Sequence, residues 1–181
     1  QDFSWIRLDL DTATTKPAQI ETKDVAGDTK PEMLLTRNEH CTNGAMNAPH
    51  LLMSILIAPG DHVMIQNPQW LNYAAQIEYC GGVAVKLPTD PENGFYLDPQ
   101  TIRDNYVPGK TKALLINSPN NPTGHVLTRK NLEQIAEVAC ELDLLVISDE
   151  VYNTLIFDDA EAVSISTFPG MRDRTVVVNS L

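Results

Sequence analysis

The residues best suited to chemistry come directly after short apolar runs. Asp149 follows Leu144-Leu145-Val146-Ile147-Ser148 and precedes Glu150-Val151-Tyr152. A carboxylate at the end of so apolar a run is expected to be buried, and a buried charge is costly without a partner. It therefore either caps the turn that follows or faces a cation. Thr42-Asn43-Gly44-Ala45-Met46 leads into a helical stretch. Free N–H groups and the positive end of a helix dipole bind anions, and a glycine lets the anion approach the backbone closely. The turn is thus a candidate anion site, although an ordinary glycine turn into a helix has the same composition. Trp70, in Pro68-Gln69-Trp70-Leu71-Asn72, carries a flat indole that can either stack on another ring or fill a half-buried core position. Asn121, in Asn120-Asn121-Pro122-Thr123-Gly124, offers an amide donor within a strong turn-forming run.

Something must bring these residues to one place. Short apolar or β-branched runs occur at His62–Ile65, Val83–Leu87, Ala113–Ile116, Leu144–Ile147 and Thr175–Val178. Helical patterns lie between them. One runs from about Ala45 to Ile57, with Pro49 in its first turn, where proline is tolerated. Another runs from Leu71 to Cys80 and stops at Gly81-Gly82, and a third opens with Asp98-Pro99. In the fourth, Leu132, Ile135, Ala136, Ala139 and Leu142 recur at helical spacing behind Thr128, a good N-cap. Strands alternating with helices predict an α/β fold, a mostly parallel sheet with helices on both faces. Ligands bind such sheets beyond the carboxyl ends of the strands, where the unusual residues gather. Residues 1–40 show no sustained period and read as an N-terminal arm or irregular segment, leaving residues 41–181 as the regular part.

Composition narrows the function classes. The chain has 181 residues, 43% hydrophobic and 20% charged, which suits a globular domain rather than a disordered one. With 13 basic against 24 acidic residues, a net charge of −11 argues against nucleic acid or an anionic membrane as a partner. The longest apolar stretch, Leu51 to Ala58, is too short to cross a bilayer. Gln1-Asp2-Phe3-Ser4-Trp5 has neither the basic start nor the apolar core of a secretory signal, so a cytoplasmic location is expected. Cys41, Cys80 and Cys140 are odd in number and far apart, and read as buried, reduced thiols. His40, His50, His62 and His125 show no metal-ligand spacing, so no metal is expected.

The Asn120–Gly124 run, followed in order by Ser148-Asp149-Glu150-Val151-Tyr152, resembles the class I/II aminotransferases, pyridoxal-phosphate enzymes of fold type I. The resemblance covers about residues 41–181 and implies the large, cofactor-binding domain of that fold. It implies pyridoxal 5'-phosphate as cofactor, amino-acid and 2-oxo-acid substrates, and a homodimer. Gly44, Ala45, Met46 and Ser180 would hold the phosphate, and Trp70 would stack on the pyridine ring. Asn121 and Tyr152 would donate to its phenolic oxygen. Asp149 would pair with the ring nitrogen, so that a positive ring withdraws electrons from the substrate. Asp149 and Tyr152 are the residues expected to take part in catalysis. Pro68 and Pro122 resemble positions that follow cis peptide bonds.

The family pattern continues from Ser180 to a lysine that bonds the cofactor and moves the proton. This sequence reaches Ser180-Leu181, and Lys86, Lys110, Lys112 and Lys130 do not occupy that place in the motif. The expectation is a longer protein whose lysine and smaller domain lie outside these residues; residues 1–181 alone would be inactive. Transamination is the activity that the resemblance favours. A lyase or synthase of the same fold, such as a carbon–sulfur β-lyase or an aminocyclopropane-carboxylate synthase, would use the same cofactor contacts. A non-catalytic fragment of the fold is the third reading.

Overall fold

The computed structural model describes residues 3–8, 39–158 and 160–180. Among these residues seven strands form one sheet: β1 (Phe3–Leu8), β2 (Glu39–Asn43), β3 (His62–Asn67), β4 (Val83–Pro88), β5 (Thr111–Asn117), β6 (Leu145–Asp149) and β7 (Thr175–Ser180). Their order across the sheet is β2-β1-β7-β6-β5-β3-β4. From β4 to β7 the neighbours are parallel, and β1 runs antiparallel to both β7 and β2. Every strand except β1 therefore ends at the same rim.

Among the described residues four α-helices cover the sheet: α1 (Asn47–Leu56), α2 (Asn72–Tyr79), α3 (Pro99–Asn105) and α4 (Arg129–Glu141). Alternation along the strands sorts their side chains between two cores. Val63, Ile65, Leu115, Ile147 and Val178 pack with Leu52 and Met53 of α1 and Tyr73 and Ile77 of α2. Met64, Leu114, Ile116 and Val146 pack on the opposite face with Ile102 of α3 and Leu132 and Ile135 of α4. Helices on both faces of a mostly parallel sheet are what the alternating pattern predicts.

The helix boundaries follow from local chemistry. Thr128 Oγ1 accepts the Asn131 N–H at 3.1 Å and starts α4. Asp98 Oδ1 accepts the Gln100 N–H at 2.9 Å, with Pro99 at the first helical position of α3. After α2, Gly81 has φ +86°, a left-handed turn suited to glycine. At Gly82 a Cβ would lie 2.8 Å from Ile57 Cδ1, so the turn packs against the end of α1.

Three differences from the sequence reading matter. Within the segment read as an irregular arm, Phe3–Leu8 and Glu39–His40 are strand, while residues 9–38 lie outside the described residues. Phe, Trp and Ile favour strands, but six residues without flanking turn signals gave no period to read. Second, β3, β5, β6 and β7 run one to two residues beyond their apolar runs, to Asn67, Asn117, Asp149 and Ser180. Those polar residues are the last residues of the strands, so the pleat fixes the face each side chain takes. Third, Cys80 and Cys140 are free thiols but only half-buried, because both sit where a helix ends; Cys41's side chain lies outside the description.

Candidate active site

Alternation along β6 decides what Asp149 meets. Ile147 faces α1 and α2, so Asp149, two residues on, faces them as well, while Ser148 and Glu150 face away. Asp149 is 6% exposed. Its Oδ2 accepts the Tyr73 hydroxyl at 2.5 Å, and its Oδ1 accepts the Val151 N–H at 3.2 Å. The second bond caps the turn after β6, so Asp149 is both a turn cap and a buried carboxylate. Burial raises its pKa, and the Tyr73 and Val151 donors pull it back only in part. Among the described residues no Lys, Arg or His pairs with it.

The other strand ends are tied to this carboxylate through asparagines. Asn117, the last residue of β5, donates from Nδ2 to the Asp149 carbonyl at 3.0 Å. Its Oδ1 accepts the Asn121 N–H at 2.8 Å. Ser118 N–H also donates to the Asp149 carbonyl, at 3.1 Å. Asn120 Oδ1 accepts from Thr123 Oγ1 at 2.8 Å, and its Nδ2 reaches the Pro68 carbonyl at 3.4 Å. These bonds lock the 117–124 turn between Asp149 and the loop that carries Trp70. The peptide bonds before Pro68, Pro119 and Pro122 are cis. Asn121 Nδ2 lies 3.5 Å from the Tyr152 hydroxyl, so the two donors expected to share one acceptor stand side by side.

Trp70 is half-buried between β3 and α2 and meets Tyr73 edge-on, ring centroids 5.3 Å apart at 79°. Tyr73 therefore links the indole to Asp149. The anion-site candidates lie at the end of β2. Gly44 has φ +76°, and a Cβ there would meet nothing within 4 Å, so the space above it is open. Ala45 packs on the α1–α2 core, and Met46 precedes the first residue of α1. Gln76 of α2 donates to the Met46 carbonyl at 3.0 Å and holds that turn in place. Ser180 ends β7 on the face that Val176 and Val178 share with α1. The pairings Ser4↔Ser180 and Ser4↔Thr42 put Ser180 two strands from Thr42, a span of about 10 Å.

The proposed cofactor can be tested against this chemistry. A buried carboxylate without a cationic partner among the described residues, two donors beside one another, an indole and an open glycine turn match a pyridinium nitrogen, a phenolic oxygen, a flat ring and a phosphate in turn. The residues present fit the group. Sequence reasoning missed Tyr73, Asn117, Asn120 and Gln76. Asn120 stood in the Asn120–Gly124 run without a role of its own, and Tyr73 left a trace as a second aromatic one helical turn beyond Trp70.

The family model described as aminotransferase class I and II matches residues 26–181. The chain belongs to the class I and II aminotransferases. Over 136 residues it is 46% identical to an aspartate aminotransferase of Pyrococcus abyssi, covering 75% of this chain and 35% of that protein. Over 127 residues it is 42% identical to aromatic-amino-acid aminotransferase 2 of Thermococcus litoralis, covering 70% and 32%. The crystal structure of an aromatic aminotransferase from Pyrococcus horikoshii aligns with a TM-score of 0.72 at 46% identity, covering 75% of this chain and 36% of that one. The chain thus spans about a third of the length of the curated relatives it matches. These relatives place the sheet and its rim in a class I and II aminotransferase fold.

Proposed function

We propose that the intact protein is a pyridoxal-phosphate-dependent aminotransferase that moves an amino group between an amino acid and a 2-oxo acid. The observation that carries this reading is Asp149, a buried carboxylate with two neutral donors and no cationic partner among the described residues. Pyridoxal 5'-phosphate, when bound, supplies a cationic ring able to accept the electron pair released at the substrate's α-carbon. Asp149 binds the ring nitrogen and keeps its proton in place. Asn121 and Tyr152 donate to the phenolic oxygen and hold its anionic form. Trp70 covers one face of the ring and excludes water. The amides of Gly44, Ala45 and Met46, with the Ser180 hydroxyl, bind the phosphate.

The family, and relatives named for aspartate and aromatic amino acids, support an amino-acid donor and a 2-oxo-acid acceptor. The protein acts as a cytoplasmic homodimer in this reading. Free thiols at Cys80 and Cys140 accord with a reducing compartment. Among the described residues, no helix is long and apolar enough to cross a membrane. The test is transfer of 15N from labelled amino acids to 2-oxoglutarate by the intact protein with cofactor, read by mass spectrometry. Labelled glutamate supports the reading. Release of a side-chain fragment with unlabelled acceptor overturns it in favour of a lyase.

A further inference from the structure

Tyr73 stands at the centre of the rim, although nothing in the motifs gives it a role. It lies in the first turn of α2 and is 2% exposed. Two contacts fix it: the Trp70 ring edge at 5.3 Å and the Asp149 carboxylate at 2.5 Å. We propose that Tyr73 is a positioning residue, whose hydroxyl sets the orientation of Asp149 and keeps that carboxylate available to a cationic ligand. The proposal rests on the cofactor reading only for its consequence, since both contacts belong to the protein alone.

The two oxygens of Asp149 are held from two different elements, Oδ1 by the turn after β6 and Oδ2 by α2. A carboxylate with one donor is free to turn about its last bond; with two donors it is not. Among the described residues the Tyr73 hydroxyl donates to Asp149 alone, and T-shaped packing on Trp70 aims it. Burial and the neighbouring Asp149 charge push the Tyr73 phenol far above its ordinary range, so it remains a donor at every working pH. Two titratable groups interact with Asp149, Tyr73 from α2 and Glu150 beside it, while Tyr152 in the following turn acts on Tyr73. From β5 comes only the uncharged Asn117. The Tyr73 hydroxyl is therefore the one side-chain donor that favours the charged form of Asp149.

The experiment is an infrared pH titration of the protein without cofactor. It follows the protonated-carboxyl stretch of Asp149, identified as the band lost in Asp149→Asn. Tyr73→Phe keeps the ring and removes the hydroxyl. Loss of a hydrogen bond to a charged group should raise the Asp149 midpoint by about one to two pH units. A ring-fluorinated tyrosine at position 73 keeps the shape and donates more strongly, so it should lower the midpoint. That second variant decides the question if the Phe variant does not fold. A midpoint that moves in neither variant overturns the proposal and leaves Tyr73 a packing residue. Because no cofactor is present, the outcome is independent of whether the protein binds pyridoxal 5'-phosphate.

Discussion

Asn117 is where the rim is most exposed to a single change. It is 3% exposed and uses both ends of its amide: Nδ2 on the Asp149 carbonyl and Oδ1 on the Asn121 N–H. Asn117→Ala removes both bonds, each worth about 1 kcal/mol net. The Asp149 carbonyl keeps the Ser118 N–H, so its loss is softened. The part-buried Asn121 N–H loses its acceptor, which adds about 1 kcal/mol more. The sum is about 3 kcal/mol. For a urea dependence of about 2 kcal/mol per molar, the unfolding midpoint should fall by about 1.5 M. Urea titration read by tryptophan fluorescence measures this directly. A midpoint lower by less than about 0.3 M, with unchanged slope, would refute the idea that Asn117 ties the strand ends together.

Three further outcomes follow from the same geometry. Gly82→Ala drives a Cβ to 2.8 Å from Ile57 Cδ1 and 3.0 Å from Ile77 Cγ2, and should cost about 1–3 kcal/mol in thermal unfolding; no loss would mean that the α1–α2 corner repacks freely. Thr128→Ala removes the cap of α4 and should cost about 1 kcal/mol, measured in the same way. Glu150 is buried with its pKa raised by burial, while Ser148 and Ser164 donate to it at 2.9 and 2.7 Å. A carboxyl whose folded pKa is raised stabilises fully below its unfolded value and loses that contribution as pH rises through the folded value. Glu150→Gln should therefore melt higher than the wild type at pH 8, with the gap closing as pH falls toward about 4. An equal gap at both pH values would contradict the assignment.

Much of this site is legible in the sequence, and the part that is not has a physical cause. Periodicity and turn chemistry give β3 to β7 and the four described helices, because the inner strands are apolar runs buried on both faces and each helix buries one. The Asn121, Asp149 and Tyr152 positions follow from motif order. Phe3–Leu8 escapes because its pairings with β2 and β7 are long-range contacts that no local pattern announces. Tyr73 and Asn117 escape for a related reason. An aromatic in the first turn of a helix and an Asn at a strand end are ordinary locally, and only the side-by-side pairing of β3, β5 and β6 brings them to Asp149. Gln76 is similar, since a polar residue on a helix gives no hint that it will hold the turn before another helix.

The central claim is that Asp149 lies at the rim to receive a protonated pyridine nitrogen. Equilibrium dialysis of pyridoxal 5'-phosphate against the protein and its Asp149→Asn variant tests that claim most directly. A hydrogen bond to a charged partner is worth about 1.5–3 kcal/mol, so the variant should bind the cofactor roughly tenfold to a hundredfold more weakly. The same variant should be no less stable than the wild type at pH 8, because it relieves a buried carboxylate whose pKa is raised. Equal affinity in a folded variant would contradict the account and place the ring nitrogen elsewhere.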